Sequence, residues 1–327
     1  MNNTIGLIID IDGVLIRDGQ PIPKAEKGIE LLEQHNIPYC LLSNGNGNKE
    51  WKAKKVNSSL GTSISSDKIV LAITPLEDYV DKYANEPVLI IGKHLEIETA
   101  KLMGYKKIVY YEEYFMQNPS TFPDINNEMI KPIPNHTSIL TDELEIKAIF
   151  IMHTPVYWGE AVQVICDVLR ARNGSRKAMN EMDIQYHQQI PIFMCNPDFE
   201  YCGKHPMPRL TVGAFGLTLN AIWKHISGED IQFERMGKPF QSSYQKAEKI
   251  ILNQNQQVTH FYGIGDNPLS DIRGANDMKK VSDYQYSSVL VKSGCSDPEM
   301  LKIDTPDIIT DDFFEAIQII LKENSIL

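Results

Sequence analysis

Two aspartates separated by one residue, Asp10-Ile11-Asp12, followed by Gly13 and Val14, close the first apolar run of the chain. In extended backbone, residues two apart project to the same side, so both carboxylates can face one pocket beyond a strand end. Two carboxylates there repel each other unless a cation or a shared proton intervenes, which points to a bound metal. Ser43-Asn44-Gly45 closes a second apolar run. It offers a hydroxyl and backbone N–H groups in a tight turn, which can hold phosphoryl oxygens without adding charge. Gly237-Lys238-Pro239 adds an ammonium able to neutralise a phosphoryl group. In Gly263-Ile264-Gly265-Asp266-Asn267-Pro268-Leu269-Ser270-Asp271, one aspartate follows an apolar run and a second comes five residues later at a helix start. Both supply the hard oxygen ligands that Mg²⁺ prefers. A dinucleotide-binding G-x-G-x-x-G reading of that segment fails, because Pro268 occupies the third glycine position. Singly, each segment has an ordinary reading as loop acids, a turn or a surface lysine; their order along the chain is far more specific.

The elements that must position these segments are legible in the hydrophobic pattern. Residues 4–9 (TIGLII) and 37–42 (IPYCLL) read as buried strands flanking an amphipathic helix over 24–35, a βαβ unit whose functional loops open at the carboxyl edge. Toward the other end, 242–253 reads as a helix, and 258–264 and 288–292 as strands. Between them lie apolar runs at 88–91, 148–152 and 192–194 and a helix at 159–172, while the Pro- and Asn-rich stretch 117–138 predicts an exposed excursion. The expected fold is α/β: a doubly wound parallel-sheet core from residues 1–77 and 210–327, with an inserted α/β domain over 78–209.

Composition narrows the function classes. A net charge of −11 argues against a nucleic-acid partner or an anionic membrane, because neutralising phosphates needs clustered Lys and Arg. No segment reaches the length of about 20 apolar residues that a membrane span needs. Cys40, Cys166, Cys195, Cys202 and Cys295 are scattered and odd in number, which favours reduced thiols. The N-terminal MNNTIGLIIDIDG runs directly into the first apolar run, so the compartment expected is the cytosol.

The four segments in this order resemble the haloacid-dehalogenase-like superfamily, whose pattern is D-x-D-G-[VT], a strand-terminal Ser or Thr, a Lys, and G-D-x₄-D. The large insert between the second and third motifs is similar to class IIA, whose α/β caps are of the C2 type. Within it, DIDGVLIRDGQPIPKA with LLSNGNGN resembles most the eukaryotic subgroup named for the cat-eye-syndrome critical region, many of whose members are mitochondrial. The resemblance implies a Rossmann-like core and a phosphatase in which Asp10 attacks phosphorus and Asp12 serves as acid and then base. Ser43, backbone donors at Asn44 and Gly45, and Lys238 would bind the phosphoryl group. Mg²⁺ would be held by Asp10, the Asp12 carbonyl and Asp266, with Asp271 in support. A second acid favours ester hydrolysis over carbon–halogen cleavage, since an ester leaving group needs a proton.

A closing cap favours a small phosphorylated metabolite as substrate. In class IIA relatives the corresponding cap segment touches the leaving group, which makes Tyr201, His205, Met207 and Arg209 candidate specificity residues. The alternatives are a non-catalytic binding or scaffold protein on the same fold and a phosphomutase, and a homodimer is one option for assembly. Cys195, Cys202, His205 and His187 lack the tight spacing of a structural zinc site. Trp51, Trp158 and Trp223 are expected in the packing.

Overall fold

The computed structural model describes residues 4–45, 47–123, 132–201, 205, 207–294 and 304–327. The chain divides into two compact units, Met1–Thr74 with Gly237–Leu327, and Pro75–Met236. Within the first unit, six strands of the described residues form one parallel sheet in the order Ile308–Thr310, Gln285–Val291, His260–Gly265, Ile5–Ile9, Tyr39–Ser43, Ile69–Leu71. All five residues of Ile5–Ile9 and of Tyr39–Ser43 are buried, as expected for strands covered on both faces. The chain starts at the sheet centre, steps outward on one side, and later returns on the other. The switch point therefore falls between Ile5–Ile9 and His260–Gly265, where α/β sheets open a crevice at their carboxyl ends.

Helix Gln241–Gln254 packs on this sheet through Tyr244, Ala247 and Ile251 against Ile8, Cys40 and Phe261. Its close approach depends on Gly6, where an added Cβ would lie 2.5 Å from Ile251 Cγ2. Helix Lys49–Leu60 starts on Asn48, whose side chain accepts from Trp51 N at 2.8 Å, and stops at Gly61 in the left-handed region, φ 69°. It buries Lys52, Ala53, Val56 and Leu60, a helical stripe that contains a lysine. Trp51 was expected in the packing, but it projects from the outer face, 54% exposed, with Lys55 over its ring.

The second unit has its own parallel sheet among the described residues, ordered Phe233–Met236, Ile192–Cys195, Ala148–Ile151, Val88–Ile91, Ile108–Tyr110. Phe150 and Phe193 meet edge to face at its core, 5.2 Å apart. This sheet corrects the expected boundary at 209. Helix Val212–Ser227 buries Phe215, Leu219 and Trp223, and Phe233–Met236 completes the second sheet in register with Ile192–Cys195, so the unit runs on to Met236. The sequence hid this strand because it reads FERM, with three of its four residues outside the buried class. In the 117–138 excursion, Pro119–Thr121 forms one short 3₁₀ turn, and 124–131 lie outside the described residues. Among the described residues, no helix is long and apolar enough to cross a membrane.

Candidate active site

Asp10 follows the last residue of the central strand, and its N–H still bonds Ile264 O at 2.9 Å, so the sheet ladder fixes its backbone. Asp266 follows the neighbouring strand directly, and Asp271 lies in the helical turn Pro268–Ile272 capped by the Asn267 side chain. The carboxylates of Asp10, Asp266 and Asp271 are all buried, with one oxygen of each within 4.8 Å of the others. Glycines make the convergence possible. An added Cβ on Gly13, which sits at φ +95°, would lie 2.4 Å from Asp266 Oδ2, and one on Gly265 would lie 2.1 Å from Asp271 Cβ.

Lys238 reaches into this cluster. Its Nζ donates to Asp10 Oδ1 at 2.5 Å and to Asp271 Oδ1 at 2.6 Å. Its backbone is held by a reciprocal clamp across 194 positions: Lys238 N donates to Asn44 Oδ1 at 2.7 Å, and Asn44 Nδ2 donates to Lys238 O at 2.9 Å. Gly237 N is tied to Ser243 Oγ at 2.9 Å. Burial acts first on each charge. Desolvation raises the Asp10 carboxyl well above the usual range, with Asp271 and Asp266 adding to it and Lys238 opposing. Burial alone would lower the Lys238 ammonium, but Asp10 and Asp271 outweigh it and hold the lysine charged. Asp271 Oδ2 also accepts from Asn267 N at 3.1 Å, and Tyr244 OH donates to the Asp271 carbonyl at 3.0 Å.

Asp12 projects elsewhere. Its Oδ2 accepts from Lys52 Nζ at 2.7 Å and lies 3.4 Å from Ser43 Oγ, with the side chain 54% exposed. Desolvation would raise its pKa, but the Lys52 ammonium prevails and holds the carboxyl below its ordinary range. The Asp12 carboxylate is engaged with Lys52 and lies outside the three-acid cluster, and the sequence reading assigned the metal only the Asp12 carbonyl. Ser43 Oγ accepts from Gly45 N at 2.9 Å, closing the turn. A Cβ on Gly45 would lie 2.9 Å from Lys52 Nζ and 3.1 Å from Ser43 Oγ, so the turn has room only for glycine.

The first unit thus brings together Asp10, Asp12, Ser43, Asn44, Gly45, Lys238, Asp266 and Asp271. Lys52 was missed, although a lysine on the apolar stripe of a helix that follows the Ser-Asn-Gly turn is a readable signal. Gly294 was missed as well: a Cβ there would lie 1.9 Å from Asp266 Oδ2, and no local pattern announces it. Tyr201, His205, Met207 and Arg209 belong to the second unit. Tyr201 pairs with Arg209 in a two-stranded hairpin, Met207 N donates to His205 Nδ1 at 3.1 Å, and all four are exposed. Cys202, from the discounted zinc quartet, lies outside the described residues, while Cys195 is a buried free thiol.

The donor set fits a hard divalent ion. Oxygens about 2.1 Å from one Mg²⁺ stand at most about 4.2 Å apart, and these three carboxylates each place one oxygen within 4.8 Å of the others. Three buried carboxylates converging beside the Lys238 ammonium make a setting that a divalent cation would stabilise.

The fold, with Asp10 at the switch point of the first sheet and Ser43 and Asp266 at the same carboxyl ends, agrees with the comparisons. Residues 7–106 match the profile of haloacid dehalogenase-like hydrolases, and residues 235–316 match a second profile of the same group. The chain belongs to the haloacid dehalogenase-like hydrolases. It is 26% identical over 341 residues to a mitochondrial hydrolase of Saccharomyces cerevisiae, covering 96% of this chain and 94% of that one. It is 29% identical over 296 residues to a cardiolipin synthase (CMP-forming) and mitochondrial hydrolase fusion protein of Schizosaccharomyces pombe, covering 87% of this chain and 47% of the fusion. Among solved structures, a p-nitrophenyl phosphatase from Archaeoglobus fulgidus superposes with a TM-score of 0.66 at 17% identity, covering 98% of this chain and 100% of that one. At that identity the likeness speaks for the fold.

Proposed function

We propose that this chain is a Mg²⁺-dependent phosphatase that hydrolyses a small phosphorylated metabolite through an aspartyl phosphate on Asp10. The observation that carries the reading is the buried cluster of Asp10, Asp266 and Asp271 on one lysine, at a sheet edge that also presents Ser43 and a second ammonium, Lys52. The Archaeoglobus structure, named as a phosphatase, supports the same reaction class. Mg²⁺ would be held by the Asp10 and Asp266 carboxylates and the Asp12 carbonyl, with Asp271 in support. Bound there, it supplies Lewis-acid neutralisation of phosphoryl charge.

The chain's own groups divide the remaining work. Asp10 attacks phosphorus as the bond to the leaving oxygen breaks, and Asp12 delivers the proton that oxygen requires. Approach of an anionic phosphoryl group raises the Asp12 pKa against the pull of Lys52, favouring the protonated form for this step. Once ionised again, Asp12 takes a proton from the water that attacks the aspartyl phosphate, releasing inorganic phosphate and restoring Asp10. Lys238 holds Asp10 in place and offsets its charge, while Ser43 and Lys52 ligate phosphoryl oxygens on the other side.

The second unit would act as the cap, with Tyr201, His205, Met207 and Arg209 as its specificity residues. The two fungal relatives are named as mitochondrial, and we extend that compartment to this chain in place of the cytosol. Import of the full-length protein into isolated mitochondria tests it. For the activity, p-nitrophenyl phosphate turnover is measured with Mg²⁺ and with EDTA, for wild type and Asp10→Asn. Turnover that requires the metal and vanishes in the variant is expected; a pure protein inactive on a broad panel of phosphorylated metabolites would overturn the reading.

A further inference from the structure

The second unit contains a cavity of about 180 Å³, built from its own residues alone and assigned to nothing above. Three donors define it. Tyr114, on helix Glu112–Gln117, is 4% exposed and lines the cavity, and its hydroxyl has no hydrogen-bond partner among the described residues. Arg170, at the end of helix Trp158–Arg170, also lines it; the guanidinium lies over the Tyr186 ring at 5.6 Å, and its Nε has no partner among the described residues. Arg176 completes the set, with Nη1 donating to Gln117 Oε1 at 2.6 Å and Nε 3.5 Å from Asp142 Oδ1.

A buried phenol left without a partner is costly, and a phenylalanine would fill the same space without that cost. The hydroxyl and the Arg170 Nε are instead two donors at one small cavity, the pattern of a site for an oxyanion. The wall also sets the charge of the occupant. Arg176 is already paired with Asp142, which leaves the Arg170 guanidinium facing the one carboxylate of the lining, Asp167, whose Oδ1 accepts from Gln163. Beside that carboxylate a monoanion is repelled less than a phosphate dianion. Met179, Met182 and Ile184 make the rest of the wall apolar. We infer that this cavity is a binding site for a small monocarboxylate with a short apolar body, its carboxylate on Arg170 and Tyr114 Oη and its body against the two methionines. Cavities of this kind pair a few fixed polar groups with an apolar lining.

Calorimetric titration of the full chain with sodium benzoate, sodium butyrate and orthophosphate tests the inference. Saturable one-to-one benzoate binding is expected, with butyrate competing for the same site. Tyr114→Phe should weaken it about 10- to 100-fold, the effect of one hydrogen bond to a charged group. Arg170→Gln should weaken it more, and Arg170→Lys should fall between, because lysine keeps the charge and loses the fork. Turnover of p-nitrophenyl phosphate without carboxylate should be the same in all of them. If Arg170→Gln fails to fold, Tyr114→Phe, which loses a single oxygen, still decides the matter. Absence of saturable carboxylate binding, meaning that only water pairs the two donors, overturns the inference. So does benzoate affinity unchanged in Tyr114→Phe, or orthophosphate displacing benzoate at lower concentration than benzoate itself requires.

Discussion

Replacing Asn44 by alanine removes both bonds of the clamp on Lys238, at 2.7 and 2.9 Å, and leaves the Lys238 N–H and C=O unpaired in a buried setting. An unpaired buried group costs about 1–3 kcal/mol, so losing this clamp should destabilise the first unit by about 3 kcal/mol. For domains of this size that corresponds to a melting temperature lower by about 6–12 °C, which scanning calorimetry measures directly. The unit should still fold, since about 5–15 kcal/mol is the usual stability. The chemistry should suffer separately. The Lys238 backbone sets where its ammonium meets Asp10 and Asp271, and a displacement of about 1 Å at a reacting group costs about 10²-fold in rate. The loss is expected mainly in kcat for p-nitrophenyl phosphate. Asn44→Asp keeps the acceptor for Lys238 N–H but adds a carboxylate beside an already anionic cluster, so it should melt closer to wild type than Asn44→Ala and remain impaired in turnover. An Asn44→Ala variant that melts within 2 °C of wild type and keeps its kcat would refute the role given to this clamp.

Lys52→Met keeps the side chain's length and removes the ammonium from Asp12; kcat should fall by about 10²-fold or more, with the acidic limb of the pH–rate profile moved upward, and an unmoved limb would remove Lys52 from the mechanism. Gly294→Ala drives a Cβ to 1.9 Å from Asp266 Oδ2, so the Mg²⁺ concentration for half-maximal turnover should rise about 10- to 100-fold, read from a metal titration of activity. Burial pushes the Glu96 carboxyl in the second unit from 4.5 up to about 7, with Lys93 opposing only in part. Between those values the folded chain binds more protons than the unfolded one. Stability should therefore fall by about 3 kcal/mol as pH rises from 4.5 through 7 and level off above, and urea midpoints at pH 5 and 8 should lose that difference in Glu96→Gln.

The core and the candidate site were readable because buried parallel strands leave continuous apolar runs, and each run here ends at a residue of the candidate site. Ile5–Ile9 hands over to Asp10, Tyr39–Ser43 ends on the serine itself, and His260–Gly265 hands over to Asp266. What stayed hidden has tertiary causes. Phe233–Met236 is an edge strand of the second sheet, defined by its neighbour more than by its composition, so the boundary was set too early. Gly294 matters only through what Asp266 does in space. Asn44 was taken for a backbone donor, and its side chain instead ties Lys238 in place, a contact that no local pattern encodes.

The insertion also dictates an order of assembly. Every strand partner within Pro75–Met236 lies inside one contiguous stretch, whereas the central pairing of the first sheet joins Ile5 to His260 and so waits for nearly the whole polypeptide. During synthesis the inserted unit can complete its sheet while the amino-terminal βαβ segment still lacks half of its own. The strand that leads into Asp10 thus spends most of translation with an unpaired edge, a span in which strand-edge association or chaperone capture has its best opportunity. A truncation between residues 237 and 259 leaves Asp10 without the neighbour that fixes its backbone, while the inserted unit keeps every one of its own strand partners.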